Sequence, residues 1–327
     1  MATVVTGGAG FVGGHLVERL VAEGRSVIVI DNLVTGQIGN LETVLSGDKA
    51  TFVFADVSTD VASLRRIVAD ASATTIDEIY HLASPASPDA YGRLPWETLR
   101  VNSIGTMSLV ELALEYKARF ILASTSEIYG DPLEHPQREG YFGNVNSVGP
   151  RACYDEGKRF AEAAVSSACT SLGLDGRIVR IFNCYGPRMS VGDGRLIPSL
   201  MEAALKGSRL PIHGDGSQSR TMTYIDDLID GIRTVARWEP PALQPINLGA
   251  DVEMNVREIA SAVARVAGIP CEFEYLDARP EDPRRRKPDL ALSRSIGWQS
   301  KWTIEDGLAQ TYEWFKGSGT TLVAHAG

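Results

Sequence analysis

Almost at its start the chain runs from an apolar stretch, Thr3 to Thr6, straight into Gly7-Gly8-Ala9-Gly10-Phe11-Val12-Gly13, and a helical pattern, Gly14 to Glu23, begins where the glycines end. A strand that feeds a helix through such a turn has few folded solutions. The first glycine allows the tight turn, the second lets a pyrophosphate approach the backbone, and the third lets helix pack on strand. Glycine spacing alone is weak evidence. Its weight here comes from Asp31, which ends the next apolar run, Val27 to Asp31, where a carboxylate accepts from the hydroxyls of an adenosine ribose. A carboxylate followed by Asn32, rather than a basic residue, disfavours a 2′-phosphate and selects NAD over NADP.

Further apolar runs follow at Thr51 to Ala55, Glu78 to Ala83, Phe120 to Ser124 and Arg177 to Phe182, separated by amphipathic stretches such as Glu97 to Lys117. Strands alternating with helices predict an α/β, Rossmann-type doubly wound parallel sheet over residues 1–182. Ligands on such a sheet lie at the carboxyl ends of the strands. Phe11, Val12, Asn32, Thr35, Gly36, Asp56, Val57, Leu82, Ala83, Ser84 and Ala123 are therefore expected along the dinucleotide, together with Gly7, Gly10 and Asp31.

Beyond Phe182 the pattern loosens, which predicts a smaller mixed α/β substrate lobe from residues 183–220 and 251–316. Residues 221–250 are expected to rejoin the sheet, through a helix at Asp226 to Arg237 and a strand at Pro245 to Leu248, and 317–327 to form a frayed tail.

Composition narrows the partners. A formal net charge of −9 disfavours nucleic acid, whose binding draws on Lys and Arg. No uncharged apolar run reaches membrane-spanning length, and Met1 leads almost directly into a strand, so a cytoplasmic, non-membrane protein is expected. Cys153, Cys169, Cys184 and Cys271 lack CxxC or framework spacing and the five histidines form no ligand pair, so neither disulfide nor metal is expected.

Tyr154 and Lys158 stand four residues apart at the start of the helical stretch Cys153 to Ser171, on one face. A phenol becomes a useful base near neutral pH only when a cation stabilises phenolate, and lysine supplies one. Taken alone the pair is a common accident. Downstream of a dinucleotide turn, and of a strand ending Ala123-Ser124-Thr125-Ser126-Glu127, it reads as a reaction centre.

The ordered strings TGGAGFVG, IDN, HLAS, STSEIYG and YDEGK resemble the extended short-chain dehydrogenase/reductase family of nucleotide-sugar enzymes over nearly the whole chain. That resemblance implies oxidation of a sugar C4 by NAD: the Thr125 hydroxyl orients the sugar, Tyr154 removes the O4 proton, and Lys158 lowers the Tyr154 pKa. Ser126 stands where the 4,6-dehydratases carry an Asp, and the retained Glu127 implies chemistry at C5 or C6.

Within the family, GNVN, GPRACYDEGKR, FNCYGPRM, GDGSQSR and DPRRRKPD resemble the UDP-glucuronate decarboxylases, which form UDP-xylose. By that likeness Arg286 meets the sugar carboxylate and Glu127 relays a proton or positions the carboxylate. Asn183, Arg220 and His213 meet the nucleotide of UDP-glucuronate, while Arg188 and Arg195 are open to either diphosphate. Pro85, Tyr91, Arg100 and Tyr141 are weaker pocket candidates. Ser147 and Leu94 depart from the family's usual Pro and Asn, which keeps a UDP-glucuronate 4-epimerase as the alternative. A non-catalytic NAD-binding scaffold is a remote third reading. The family also implies a homodimer, paired through Glu97 to Lys117 and Cys153 to Ser171.

Overall fold

A computed structural model describes residues 1–71, 73–240 and 242–322. Six strands follow in order: β1 (Ala2–Thr6), β2 (Ser26–Asp31), β3 (Ala50–Phe54), β4 (Ile76–His81), β5 (Arg119–Thr125) and β6 (Gly176–Ile181). With the late strand Ile246–Leu248 they form one seven-stranded sheet in the order Ile246–Leu248, β6, β5, β4, β1, β2, β3. Every pair is parallel. The reversal of order falls between β1 and β4, where such a sheet opens a crevice for a ligand.

The central strands are apolar on both faces because helices cover both. Val5, Val29, Ile121 and Val179 point into a cluster that includes Leu16, Val17 and Leu20 of helix Phe11–Ala22 and Leu228 and Ile232 of helix Ile225–Arg237. Their neighbours Val4, Ile28, Ile30, Phe120 and Ile178 point the other way, towards Leu109 and Leu112 of helix Thr106–Tyr116 and Val165 of helix Ala152–Leu172. Full burial of each such side chain contributes roughly 1.5–3 kcal/mol against an exposed reference.

The stretch expected as one helix from Glu97 to Lys117 is interrupted: Pro95–Arg100 and Thr106–Tyr116 flank a π-helical turn at Val101–Gly105. Within that turn the Asn102 amide donates to the Thr98 carbonyl (2.8 Å) and to the Ser84 hydroxyl (2.9 Å), fastening the helix to the strand ends.

The C-terminal elements form a roof. Glu253–Asn255, Ser219–Thr221 and Arg285–Arg286 make a three-stranded sheet, and Leu210–His213 pairs with Phe273–Leu276. The apolar cluster on the roof side of the sheet continues through Leu200, Val256 and Ile259, so roof and sheet share one core. The last helix, Ile304–Leu322, carries the chain into the stretch expected to fray, and 323–327 lie outside the described residues. Among the described residues no helix is long and apolar enough to cross a membrane.

Candidate active site

The Gly-rich turn is built at backbone contact. Gly7 has φ +71°, and a Cβ there would lie 2.6 Å from the Ala83 nitrogen; one on Gly13 would lie 2.1 Å from the Gly7 carbonyl oxygen. Gly10, at the N-cap of helix Phe11–Ala22, has no side chain to satisfy the first-turn amides, which leaves them to an anion. Asp31 is buried and its carboxylate accepts from the Ala9 (3.0 Å) and Leu33 (2.8 Å) amides, while a Cβ on Gly36 would stand 2.9 Å from its Oδ1. Burial raises the Asp31 pKa and the two amides oppose that rise. Two lone pairs remain for a diol. A cradle closed to any side chain, open helix amides and a carboxylate on the next strand fit an adenine dinucleotide.

From Phe11 and Val12 a cavity of about 550 Å³ runs across the ends of β4 and β5 to the roof, where His213, Arg220 and Arg286 line it. Its floor carries the sequence-predicted reaction set. The Thr125 hydroxyl oxygen accepts from the Glu127 amide (3.2 Å), fixing the short helical turn Ser126–Tyr129, and the same hydroxyl favours the ionised form of the Tyr154 phenol. Tyr154, in the first turn of helix Ala152–Leu172, stacks on Tyr91 with ring centres 5.1 Å apart and planes 7° off parallel. One turn on, Lys158 is buried and donates to the Ala123 carbonyl (2.8 Å).

The electrostatics differ from the sequence expectation. Burial lowers the Lys158 pKa to about 8, with Glu162 opposing. The Tyr154 pKa is raised, first by burial and then by the Glu127 charge; Thr125 and Arg195 pull it back. Desolvation of the phenol thus outweighs cation stabilisation, and the guanidinium acting on it is that of Arg195, which Asp193 anchors at 2.6 Å.

Above the floor sits a buried cluster that the sequence reading only half supplied. Glu127 accepts from Arg151 at 2.8 Å and faces Arg286 at 3.5 Å. Arg151 and Arg220 both reach Asp282, at 3.5 and 2.8 Å. Burial penalises the Glu127 charge, but the Arg151 and Arg286 guanidinia, with Asp155 assisting, outweigh that penalty and hold its pKa below the ordinary value. Arg151, Asp155 and Asp282 escaped the sequence reading. Arg151 and Asp155 flank the Tyr154 motif, and that adjacency was the available signal.

Several other placements differ from expectation. Arg188 does not line the cavity: Glu18 of helix Phe11–Ala22 holds it at 2.6 Å and the Asn40 carbonyl at 3.2 Å. Arg100 is exposed and bonds the Ser58 carbonyl at 3.4 Å, at the end where Asp56 and Val57 lie. Tyr141 stacks on Tyr129 in a separate small cluster, its hydroxyl accepting from the Leu133 amide. Ser84, Ala86 and Pro88 line the cavity where Pro85 was expected. Arg220 lines the cavity as expected and pairs there with Asp282. Asn183 lines the cavity with a buried Oδ1 that has no hydrogen-bond partner, and His213 lines it while its Nδ1 lies 2.9 Å from the Asp277 carbonyl. Asn32 Oδ1 accepts from the Val34 amide (3.2 Å) beside Asp31, in the loop that also carries Thr35 and Gly36. Ser147 and Leu94 do not line the cavity.

Fold and floor together define an NAD-using enzyme that works on a hydroxyl-bearing substrate. Over residues 3–249 the chain matches the NAD dependent epimerase/dehydratase family, and it belongs to that family. UDP-glucuronic acid decarboxylase 1 of Xenopus tropicalis is 41% identical over 314 residues, covering 96% of this chain and 72% of that protein. UDP-glucuronic acid decarboxylase 6 of Arabidopsis thaliana is 39% identical over 318 residues, 97% of this chain and 89% of that one. Among solved structures, a UDP-glucuronic acid 4-epimerase mutant from Bacillus cereus, in complex with UDP-4-deoxy-4-fluoro-glucuronic acid and NAD, superposes with a TM-score of 0.83 at 26% identity, covering 97% of this chain and all of that one. The cofactor of this chain is NAD.

Proposed function

We propose that this chain converts UDP-glucuronate to UDP-xylose and CO2, passing through a 4-keto sugar and recycling its NAD. The observation that carries the reading is Arg286. Its side chain is buried, lines the cavity beside Glu127, and has Nε and Nη2 sealed from solvent without a hydrogen-bond partner. An unfilled guanidinium edge in a dry site is costly, and a carboxylate offering two parallel acceptors satisfies it. The names of the relatives support the same substrate.

NAD, held by the Gly7–Gly13 turn and Asp31, would supply the hydride acceptor and donor for C4. Thr125 orients the sugar and Tyr154 holds the O4 proton during oxidation. Lys158, one helical turn on from Tyr154, keeps a positive charge against the Ala123 carbonyl at pH values under about 8. A ketone at C4 makes the C6 carboxylate that of a β-keto acid, so the C5–C6 electron pair passes to an enolate as CO2 leaves. Arg286 fixes the carboxylate, and the nearby Glu127 charge raises its energy. Asn183, His213 and Arg195 are proposed to hold the nucleotide diphosphate.

Replacing Arg286 with Ala is expected to cut kcat/KM on UDP-glucuronate by about 10²–10³ with NAD retention unchanged. Equal losses in NAD retention and turnover would remove Arg286 from substrate recognition.

We also propose a homodimer, supported by Trp96, Ile104, Met107 and Phe160, exposed on the segments Pro95–Tyr116 and Ala152–Leu172. The cytoplasm is proposed as its compartment; four free thiols suit a reducing one.

A further inference from the structure

Once CO2 has left, the enolate needs a proton at C5 before hydride can return to C4. Tyr154 is not available for this, since its proton belongs to O4. The decarboxylation proposed above therefore needs a second proton source, and the geometry beside Glu127 offers one.

Asp155 follows Tyr154 in the first turn of helix Ala152–Leu172 and is only 7% exposed. Its carboxyl group meets that of Glu127 within hydrogen-bonding reach, and its Oδ1 is sealed from solvent with no partner. Arg151 from the helix N-cap and Arg286 from strand Arg285–Arg286 both pair with Glu127. Tyr91, whose hydroxyl is also buried without a partner, faces the pair from helix Pro88–Arg93, and Tyr154 and Cys153 complete the surroundings. Two carboxyl groups in contact away from water do not both ionise. The guanidinia fix the charge on Glu127, so the proton rests on Asp155, whose pKa burial and then Glu127 push far above the carboxylate range.

We infer that Asp155 stores the proton which Glu127 delivers to C5. Asp155 passes its proton to the Glu127 carboxylate, and Glu127 gives that proton to C5 as the enolate electron pair returns to carbon and the C5–H bond forms. The pair is left with two negative charges. Departure of CO2 has by then removed the anion that Arg286 was holding, so that guanidinium is free to balance the second charge. Solvent then restores one proton, which matches the one proton consumed per CO2 released. Asp155 acts through Glu127 and need not touch the sugar.

The test uses NAD-loaded wild-type enzyme and the Asp155→Asn and Asp155→Glu variants with UDP-glucuronate, following CO2, UDP-xylose and NADH absorbance in single turnovers. In Asp155→Asn, CO2 release in the first turnover is expected near the wild-type rate. UDP-xylose formation falls about a hundredfold, NADH persists, and KM stays within about twofold. Asp155→Glu recovers part of the loss. Asp155→Asn making UDP-xylose at the wild-type rate, or losing CO2 release and UDP-xylose formation in parallel, would overturn the inference. Infrared spectroscopy of the wild type adds a readout independent of the variants: a protonated carboxyl band is expected at neutral pH, and its absence also overturns the inference. A wild type that releases no CO2 fails the substrate reading and this inference together, whereas normal wild-type turnover with an indifferent Asp155→Asn fails this inference alone.

Discussion

Lys158 shows what the site costs the fold. Its pKa in the folded chain, about 8, lies below the unfolded value near 10.4, so folding disfavours the protonated form. That penalty is fully expressed below pH 8 and fades as pH rises towards 10.4; its size is of order 3 kcal/mol. Lys158→Met removes the charge but orphans the Ala123 carbonyl, at about 1 kcal/mol. Cofactor-free Lys158→Met should therefore be more stable than wild type by about 1–2 kcal/mol at neutral pH in urea unfolding, inactive, and no more stable near pH 10. A variant less stable at every pH would mean that the ammonium is well solvated in the folded state. Tyr154→Phe should lower kcat by about 10²–10⁴ while UDP-glucuronate still binds; turnover at the wild-type rate would remove Tyr154 from the reaction set. The floor residues Thr125, Tyr154 and Lys158 were legible in sequence because two short neighbouring strings carry them. Of the acid–base cluster only Glu127, Arg220 and Arg286 were named, through motif likeness, and their meeting with Arg151, Asp155 and Asp282 was not legible: Glu127 and Arg286 are 159 residues apart, and Arg151 and Asp282 are 131. Nothing local marks that Arg284 to Lys287 turns one guanidinium inward and leaves Arg285 outside, 57% exposed at its side chain.

The parallel strands were readable as elements because each is a short apolar run bounded by turn residues, and the returning strand Ile246–Leu248 falls within Pro245 to Leu248. The π-helical turn at Val101–Gly105 was not, since its apolar spacing is that of an α-helix and the side-chain bonds of Asn102, Ser103 and Thr106 that accompany it depend on the folded neighbourhood. The glycine turn is the element most exposed to single changes. Gly13→Ala would drive a Cβ into the Gly7 carbonyl, a backbone clash that no rotamer relieves. It should destabilise the chain by about 1–3 kcal/mol and reduce NAD affinity at least tenfold, read by thermal unfolding and calorimetry. Unchanged NAD affinity would argue that the dinucleotide does not cross this turn.

At the scale of the molecule, sheet and roof share one core, and the substrate cavity lies between them with Arg286 above and Tyr154 below. Apolar side chains stand exposed on the segments Pro95–Tyr116 and Ala152–Leu172: Met107 is 49% and Phe160 43% exposed. Charging both, as Met107→Asp with Phe160→Asp, should convert a dimer to a monomer in sedimentation; a wild type that sediments as a monomer would end that proposal. Which reaction the cavity runs was legible only through motif likeness, because decarboxylase and epimerase share the floor and differ in what happens above it. Incubation of the purified protein with UDP-glucuronate, first without and then with added NAD, and analysis of CO2 and nucleotide-sugar mass tests this directly. CO2 release and a UDP-pentose in equal amounts are expected. A product of unchanged mass, separable from UDP-glucuronate, would contradict it and make the chain a 4-epimerase in which Arg286 and Glu127 serve binding alone.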